Sequence, residues 1–276
     1  MTALHLFVLA IVQGITEFLP ISSSGHLVLV PVLTGWPDQG LLMDVSVHVG
    51  TLVAVLLYFR EDTKGLFLAG LGAVGVGPAR RAVENTLYGK LFWALVIATI
   101  PTVAAGVVFK VAGLADLMRG AAVIATTSIV FGLLLYIADR KGATDKALER
   151  MAVKPALIIG LAQILALVPG TSRAGITMTA ARYLGFNRTD AARFSMLLSI
   201  PTILGAGVFL MKDMSESHDP ILWVHAGFAA SLSCLAALAA IHFLMKWLEH
   251  ASMTIFVAYR VLLGLGLFGL IGMGLI

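Results

Sequence analysis

Long apolar runs broken by short polar interruptions dominate the chain, and the interruptions are not evenly placed. Residues 1–12 are apolar and helix-forming, 13–26 (Gln-Gly-Ile-Thr-Glu-Phe-Leu-Pro-Ile-Ser-Ser-Ser-Gly-His) are largely polar, and 27–35 are apolar again. Pro31, Gly35, Pro37, Asp38 and Gly40 mark a turn region. The run 43–59 predicts a membrane span. A mixed segment with Arg60, Glu61, Asp62 and Lys64 follows, and its Gly-rich part, 65–77, fits either an interfacial segment or a loop. Spans are predicted at 91–109 and 120–138, then a charged loop at 139–154. Residues 155–168 are apolar and stop at Pro169-Gly170, with Thr171-Ser172-Arg173 beyond. The last spans are predicted at 194–211, 221–245 and 254–275. Crossing the hydrocarbon core takes about 20 apolar residues in a helix. None of these runs alternates with the period of two that a membrane β-barrel requires. The pattern therefore predicts an all-α polytopic membrane protein, one integral domain over 1–276, with about six full spans.

Composition agrees. Of 276 residues, 59% are hydrophobic and 12% charged, about half the charge of a soluble domain, and the mean hydropathy is +0.96. The single cysteine, Cys234, excludes an internal disulfide and a multi-cysteine metal site. The N-terminus has no basic stretch before its apolar run, so a cleaved signal peptide is not expected. The net charge of +4 does not point to nucleic acid, because basic residues in such a chain mostly set topology.

Charge placement then orients the spans. The segments 60–90, 139–154, 182–193 and residue 246 hold fourteen of the 19 Lys and Arg, against three in 31–42, 110–119 and 212–220. The rich side is cytoplasmic by the positive-inside rule. The parity closes only if 155–185 begins and ends on the cytoplasmic side, as a re-entrant hairpin. By the same logic 1–30 is a re-entrant hairpin from the external side. Broken backbone at membrane depth must be buried in protein or face water.

The two broken segments echo each other at an offset of 150: Gln13 with Gln163, Ser22 with Ser172, Gly25 with Gly175, and Pro20 near the position of Pro169. A second echo relates Ala98-Thr-Ile-Pro-Thr102 to Leu198-Ser-Ile-Pro-Thr202. With the opposed orientations, this predicts an inverted-topology repeat, about 1–138 against 155–276. Its two Gly/Pro-interrupted segments mark a midplane site.

The polar residues at those breaks suit phosphate chemistry. Gln13 and Glu17 lie four apart on one helix face, and a carboxylate with an amide oxygen suits a hard cation such as Mg²⁺ or Ca²⁺. A Glu satisfied by nearby hydroxyls is the plainer reading. Ser22, Ser23 and Ser24 before Gly25 favour a helix N-cap, whose free N–H groups form an anion site. Ser23 and His26 are three apart, a spacing compatible with nucleophile and base, although serines in membrane helices mostly bond backbone. Thr171 and Ser172 repeat the cap, and Arg173 needs an anion, either a bidentate phosphate or Glu17. Asp44 and His48 fall at the start of a span and are placed at an entrance; Arg260 is expected to snorkel or cap a helix pair. His225, His242, Thr177 and Thr179 are read as structural.

At this point a resemblance emerges. Gln13-x-x-x-Glu17 followed by Pro20-x-Ser-Ser-x-Gly-His26 resembles the first signature of the undecaprenyl-diphosphate phosphatase (bacitracin-resistance) family, and Pro169-Gly-Thr-Ser-Arg-Ala-Gly175 resembles its second. Ala191-Ala-Arg-Phe-Ser195 and the chain length extend the similarity. The resemblance implies a multi-pass phosphatase of the bacterial plasma (inner) membrane, active toward the external side, with two re-entrant hairpins and a divalent cation. It implies conversion of undecaprenyl diphosphate to the monophosphate, which recycles the lipid carrier for cell-wall synthesis and confers bacitracin resistance. Ser23, His26, Glu17 and Arg173 are the catalytic candidates, with Ser23 as nucleophile and His26 as general acid–base, against direct attack by water or phosphoryl transfer to His26 itself. Ser22, Ser24, Gly25, Thr171 and Ser172 are the phosphate-binding candidates, and Glu17 with Gln13 the metal candidates. Gln13 stands where some members have Glu, which shifts the charge at the cation to Glu17. The competing class is a transporter or flippase of polyprenyl phosphate lipids. Small residues such as Gly264, Gly266 and Gly269 predict close helix packing, within one chain or in a homodimer.

Overall fold

The computed structural model describes residues 2–37, 40–75, 86–114, 118, 120–215 and 220–276, with the side chains of residues 41 and 206–222 left aside. Asp38, Arg80, Arg81, Arg119 and the side chain of Lys212, all used above, lie outside the described residues. Among the described residues the secondary structure is helical, apart from an isolated bridge between Lys146 and Phe186. The first hairpin is α1 (Ala3–Thr16) and α2 (Ser23–Thr34). Then come α3 (Gly40–Tyr58), α4 (Arg60–Ala73), α5 (Leu87–Val111) and α6 (Ala121–Lys141). The second hairpin is α7 (Val153–Gln163), continued by a 3₁₀ turn (Ile164–Leu167), and α8 (Arg173–Tyr183). Three long helices follow: α9 (Arg188–Ser215), α10 (Pro220–His250) and α11 (Thr254–Gly272).

Both predicted hairpins are present as pairs of short helices joined by a non-helical break. Among the described residues four helices are long and apolar enough to cross, α5, α6, α10 (from Trp223) and α11, or up to five if α3 and α4 form one broken span. Leu42–Tyr58 qualifies only together with Arg60–Ala73, from which it is bent by 95°. A right-angle turn at Phe59 places α4 across the end of α3, so the segment left between interface and loop is a helix as far as Ala73. Helix α9 opens with Arg188, Asp190 and Arg193, which hold its first turns at a polar boundary.

Packing places the two breaks at the centre. α1 lies between α10 and α3, α7 lies against α5, and α8 is enclosed by α6, α7 and α9. In lipid there is no hydrophobic drive between helices, so contacts rely on small residues that let backbones approach. A Cβ on Gly50 would sit 2.1 Å from the carbonyl oxygen of Ala230, and one on Gly160 would sit 2.4 Å from that of Ala98. Gly264 likewise meets Ala125 within the chain, whereas Gly266 and Gly269 face open space. The second echo falls on α5 and α9, each of which carries its proline, Pro101 and Pro201, inside the helix.

The charge-rich side is tied together by ion pairs. Arg182, fully buried, bonds Asp139 at 3.2 Å and the carbonyls of Ala143, Gly142 and Phe186. Arg188 bonds the same carboxylate at 2.7 Å, and Arg193 pairs with Asp62 of α4. These arginines therefore join helices besides marking topology.

Gly170 shows how tightly the second break is built. Its φ is +87°, and a Cβ would lie 2.1 Å from Thr127 Oγ1 and 2.8 Å from the carbonyl oxygen of Ile124. Left-handed backbone costs a non-glycine residue roughly 1–2 kcal/mol before any clash. Gly170→Ala is expected to destabilise the protein by about 2 kcal/mol or more, read as a lowered thermal unfolding midpoint in detergent. An unchanged midpoint would show that the break relaxes freely.

Candidate active site

The two breaks are built alike. Ser22 and Ser172 both have positive φ, 75° and 70°, and both cap the helix that follows, Ser22 Oγ accepting from Gly25 N at 3.3 Å and Ser172 Oγ from Gly175 N at 3.0 Å. Their hydroxyls are thus committed to turning the chain. The first N–H groups of α2 and α8 are left without intrahelical partners by helix geometry, and a helix start favours an anion. The hairpins touch at these turns, since a Cβ on Gly25 would lie 3.4 Å from Gly170 Cα. Ser24, on the exposed side, lies with its hydroxyl 3.4 Å from that of Ser22. Thr171 is fully buried and its hydroxyl has no partner.

Glu17, just past the end of α1, is the hub. It is 6% exposed, and its two carboxylate oxygens take different partners. Oε1 accepts from Arg173 at 3.0 Å. Oε2 accepts from Ser23 Oγ at 2.6 Å and from Gln13 Nε2 at 2.9 Å. The Ser23 bond has the short length of a charge-assisted O–H···O⁻ contact. Arg173 also donates to the Ser195 carbonyl at 3.0 Å, while its buried Nε has no partner. Gln13, Glu17, Ser23 and Arg173 are therefore joined directly, across a sequence separation of 156 between Glu17 and Arg173. The ion pair to Glu17 that the sequence left as one option for Arg173 is present.

His26 is placed differently from the sequence reading. Its Nδ1–H donates to the Ser22 carbonyl at 2.6 Å, and its Nε2 accepts from Tyr259 O–H at 2.5 Å. The rings are stacked, with centroids 5.7 Å apart. Both nitrogens are engaged, and the contact of the Ser23 hydroxyl is Glu17 rather than His26. The i, i+3 spacing sets both side chains on one helix, but the short turn after Pro20 carries Glu17 to the serine.

Four groups here were not among the site candidates, although the sequence placed His48 at an entrance and Ser195 in a stretch of family resemblance. His48 of α3 lies with Nε2 3.7 Å from Glu17 Oε2. Ser195 receives Arg173, and Tyr259 holds His26. Arg260 is fully buried and donates to five backbone carbonyls: Pro20 of the first break, Gly170 and Thr171 of the second, and Thr127 and Ser128 of α6. It caps both breaks at once rather than snorkelling. Only an arginine has donors enough, arranged in a fork, for this. A charged residue inside an apolar run was the available signal for Arg260; nothing in the sequence linked His48 or Tyr259 to residues over 30 positions away.

A divalent cation fits part of this donor set. Gln13 is fully buried and its Oε1 has no partner, beside a carboxylate, and oxygen donors suit Mg²⁺ or Ca²⁺. The described residues hold no group of three or more His, Cys, Asp or Glu, so such an ion would need oxygens from a bound phosphate as well.

Comparison with known proteins adds to the geometry. Residues 6–266 match the family described as "Bacitracin resistance protein BacA". The chain is 48% identical over 265 residues to an undecaprenyl-diphosphatase of Roseobacter denitrificans, covering 96% of this chain and 97% of that one. It is 48% identical over 272 residues to the protein of that name from Teredinibacter turnerae (97% and 99% covered), and 48% over 274 residues to that of Saccharophagus degradans (98% and 99%). With both signatures folded onto one carboxylate and the match running nearly end to end, the chain belongs to the bacitracin resistance protein BacA family.

Proposed function

We propose that this protein hydrolyses undecaprenyl diphosphate to undecaprenyl phosphate and inorganic phosphate in the membrane, recycling the lipid carrier for cell-wall synthesis and supporting bacitracin resistance. The observation that carries the chemistry is the Ser23 hydroxyl held on the buried Glu17 carboxylate, next to Arg173 and two helix starts. A transporter needs an anion site but has no use for a hydroxyl held on a carboxylate. The protein acts in the bacterial plasma membrane. The charge distribution supports a site open to the external side, with the two hairpins as inverted halves.

The phosphates of the lipid lie between the starts of α2 and α8, with the tail along the apolar helices. Arg173, through its unpartnered Nε, and the Thr171 hydroxyl supply donors there beyond the backbone N–H groups. Ser23 Oγ bonds to the terminal phosphorus as that phosphorus separates from the bridging oxygen, and the Ser23 proton passes to Glu17. Undecaprenyl phosphate leaves with the bridging oxygen and the proton. Water then attacks the phosphoserine, Glu17 takes a proton from it, and Ser23 Oγ leaves protonated as inorganic phosphate forms. Phosphoryl transfer asks a protein mainly for positioning and charge stabilisation. A divalent cation held by Glu17 and Gln13 Oε1 supplies further charge neutralisation when bound. Glu17, rather than His26, is the base in this scheme. His26 and Tyr259 hold the Ser22 turn in place.

The purified protein in detergent is expected to release phosphate from undecaprenyl diphosphate. Acid quenching during turnover is expected to trap a phosphoryl group that mass spectrometry maps to Ser23. Turnover with no trapped species and full activity of Ser23→Ala would replace this scheme with direct attack by water. A phosphoryl group on His26 would overturn it equally.

A further inference from the structure

The site has one nitrogen donor that neither signature contains. His48 stands on α3, outside both hairpins, with its Nε2 facing Glu17 Oε2 at 3.7 Å. Its Nδ1 lies 2.6 Å from the carbonyl oxygen of Asp44. A carbonyl only accepts, so Nδ1 carries the hydrogen and Nε2 of the neutral ring presents a lone pair to a carboxylate oxygen. Two facing lone pairs repel unless a cation, either a proton or a metal ion, lies between them. Metal-binding histidines characteristically donate their second nitrogen to a carbonyl or carboxylate, which sets the tautomer and aims the ring. Metal bonds to imidazole nitrogen and carboxylate oxygen are about 2.0–2.2 Å long, so one ion can bridge donors as far apart as these. A second, independent observation is Gln13: fully buried, its amide nitrogen already on Glu17 Oε2, and its Oε1 without a partner.

We propose that His48 Nε2 is a ligand of the divalent cation at Glu17, making the donor set His48, Glu17 and Gln13, completed by phosphate oxygens. This rests on the phosphatase reading for the phosphate but not for the protein donors. The chemistry has a consequence for the ion. An all-oxygen site suits Mg²⁺ and Ca²⁺, whereas an imidazole raises affinity for first-row transition ions such as Mn²⁺. His48 is one-third exposed, whereas Glu17 and Gln13 beside it are buried.

The test is pulsed electron paramagnetic resonance of Mn²⁺ bound to the intact protein in detergent with inorganic phosphate, together with Mn²⁺ and Ca²⁺ titrations. The wild type is expected to show ¹⁴N modulation from a directly bound imidazole, which His48→Ala abolishes and His26→Ala retains. Losing even a supporting partner of a metal ligand costs about 10–100-fold in affinity. His48→Ala is therefore expected to weaken Mn²⁺ by about tenfold or more, and Ca²⁺ by clearly less. His48→Gln, closer in shape, keeps the helix packing and must also lose the nitrogen signal. Wild-type protein that binds Mn²⁺ without ¹⁴N modulation, or binds no Mn²⁺ at millimolar concentration, overturns the proposal, as does equal weakening of both ions by His48→Ala. A nitrogen signal from protein that releases no phosphate from undecaprenyl diphosphate would uphold the ligand and overturn the phosphatase reading instead.

Discussion

Replacing Glu17 by Gln is expected to lower phosphate release from undecaprenyl diphosphate by about 10³-fold or more. A positioned general base contributes about 10²–10⁴-fold, and this substitution does more than remove one. Glutamine keeps the shape of the side chain but loses its charge, so Ser23 Oγ, now 2.6 Å from a carboxylate oxygen, has no group to take its proton. Arg173, whose NH2 group lies 3.0 Å from Glu17 Oε1, is left without its anion in a site that is largely shielded from water. The measurement is kcat for phosphate release by the purified variant, with gel filtration in detergent to show that it is folded. Added Mg²⁺, Ca²⁺ or Mn²⁺ should not restore the rate, because a bound ion cannot replace the base. Activity within about tenfold of wild type would remove Glu17 from the proton transfer.

Arg260→Met is expected to have the largest effect on stability. The change keeps much of the length and apolar volume but removes all donors to five carbonyls. Thr127 and Ser128 lie in α6 and can retain helical hydrogen bonds. Pro20, Gly170 and Thr171 lie in the breaks, outside regular helix, and among the described contacts Arg260 is the donor to their carbonyls. Each buried carbonyl left unpaired costs about 1–3 kcal/mol, so a loss of about 3 kcal/mol or more is expected, seen as a lower unfolding midpoint in detergent. Turnover should fall as well, because the two helix starts lose their common anchor. Arg260→Lys, with one nitrogen for carbonyls on three segments, should recover only part of either quantity. An Arg260→Met variant with unchanged midpoint and kcat would show that the breaks hold themselves.

How far the chain could be read ahead of its structure differs from residue to residue. Glu17, Ser23 and Arg173 were identifiable because ionisable and hydroxyl groups at breaks in apolar runs are costly without a purpose. The breaks at Pro20 and Pro169-Gly170 were identifiable because these residues interrupt helices. The partner of Ser23 was not. Ser23 and His26 share a local spacing, yet the hydroxyl turns to Glu17, six residues earlier, because the chain folds back through a left-handed Ser22. His48 and Tyr259 come to the site on α3 and α11, helices whose approach depends on close contacts such as Gly50 against Ala230 and Gly264 against Ala125.

The sequence by itself determined that this is a helical membrane protein with two interrupted segments that carry hydroxyl, carboxylate and guanidinium groups, since hydropathy, charge and helix-breaking residues act locally. Tertiary structure alone decided which groups meet: Arg173 on Glu17 from 156 residues away, and Arg260 reaching from α11 to Pro20 and Thr171. Those pairings follow from buried polar groups seeking partners where lipid offers none, and the helix packing determines which partner lies within reach.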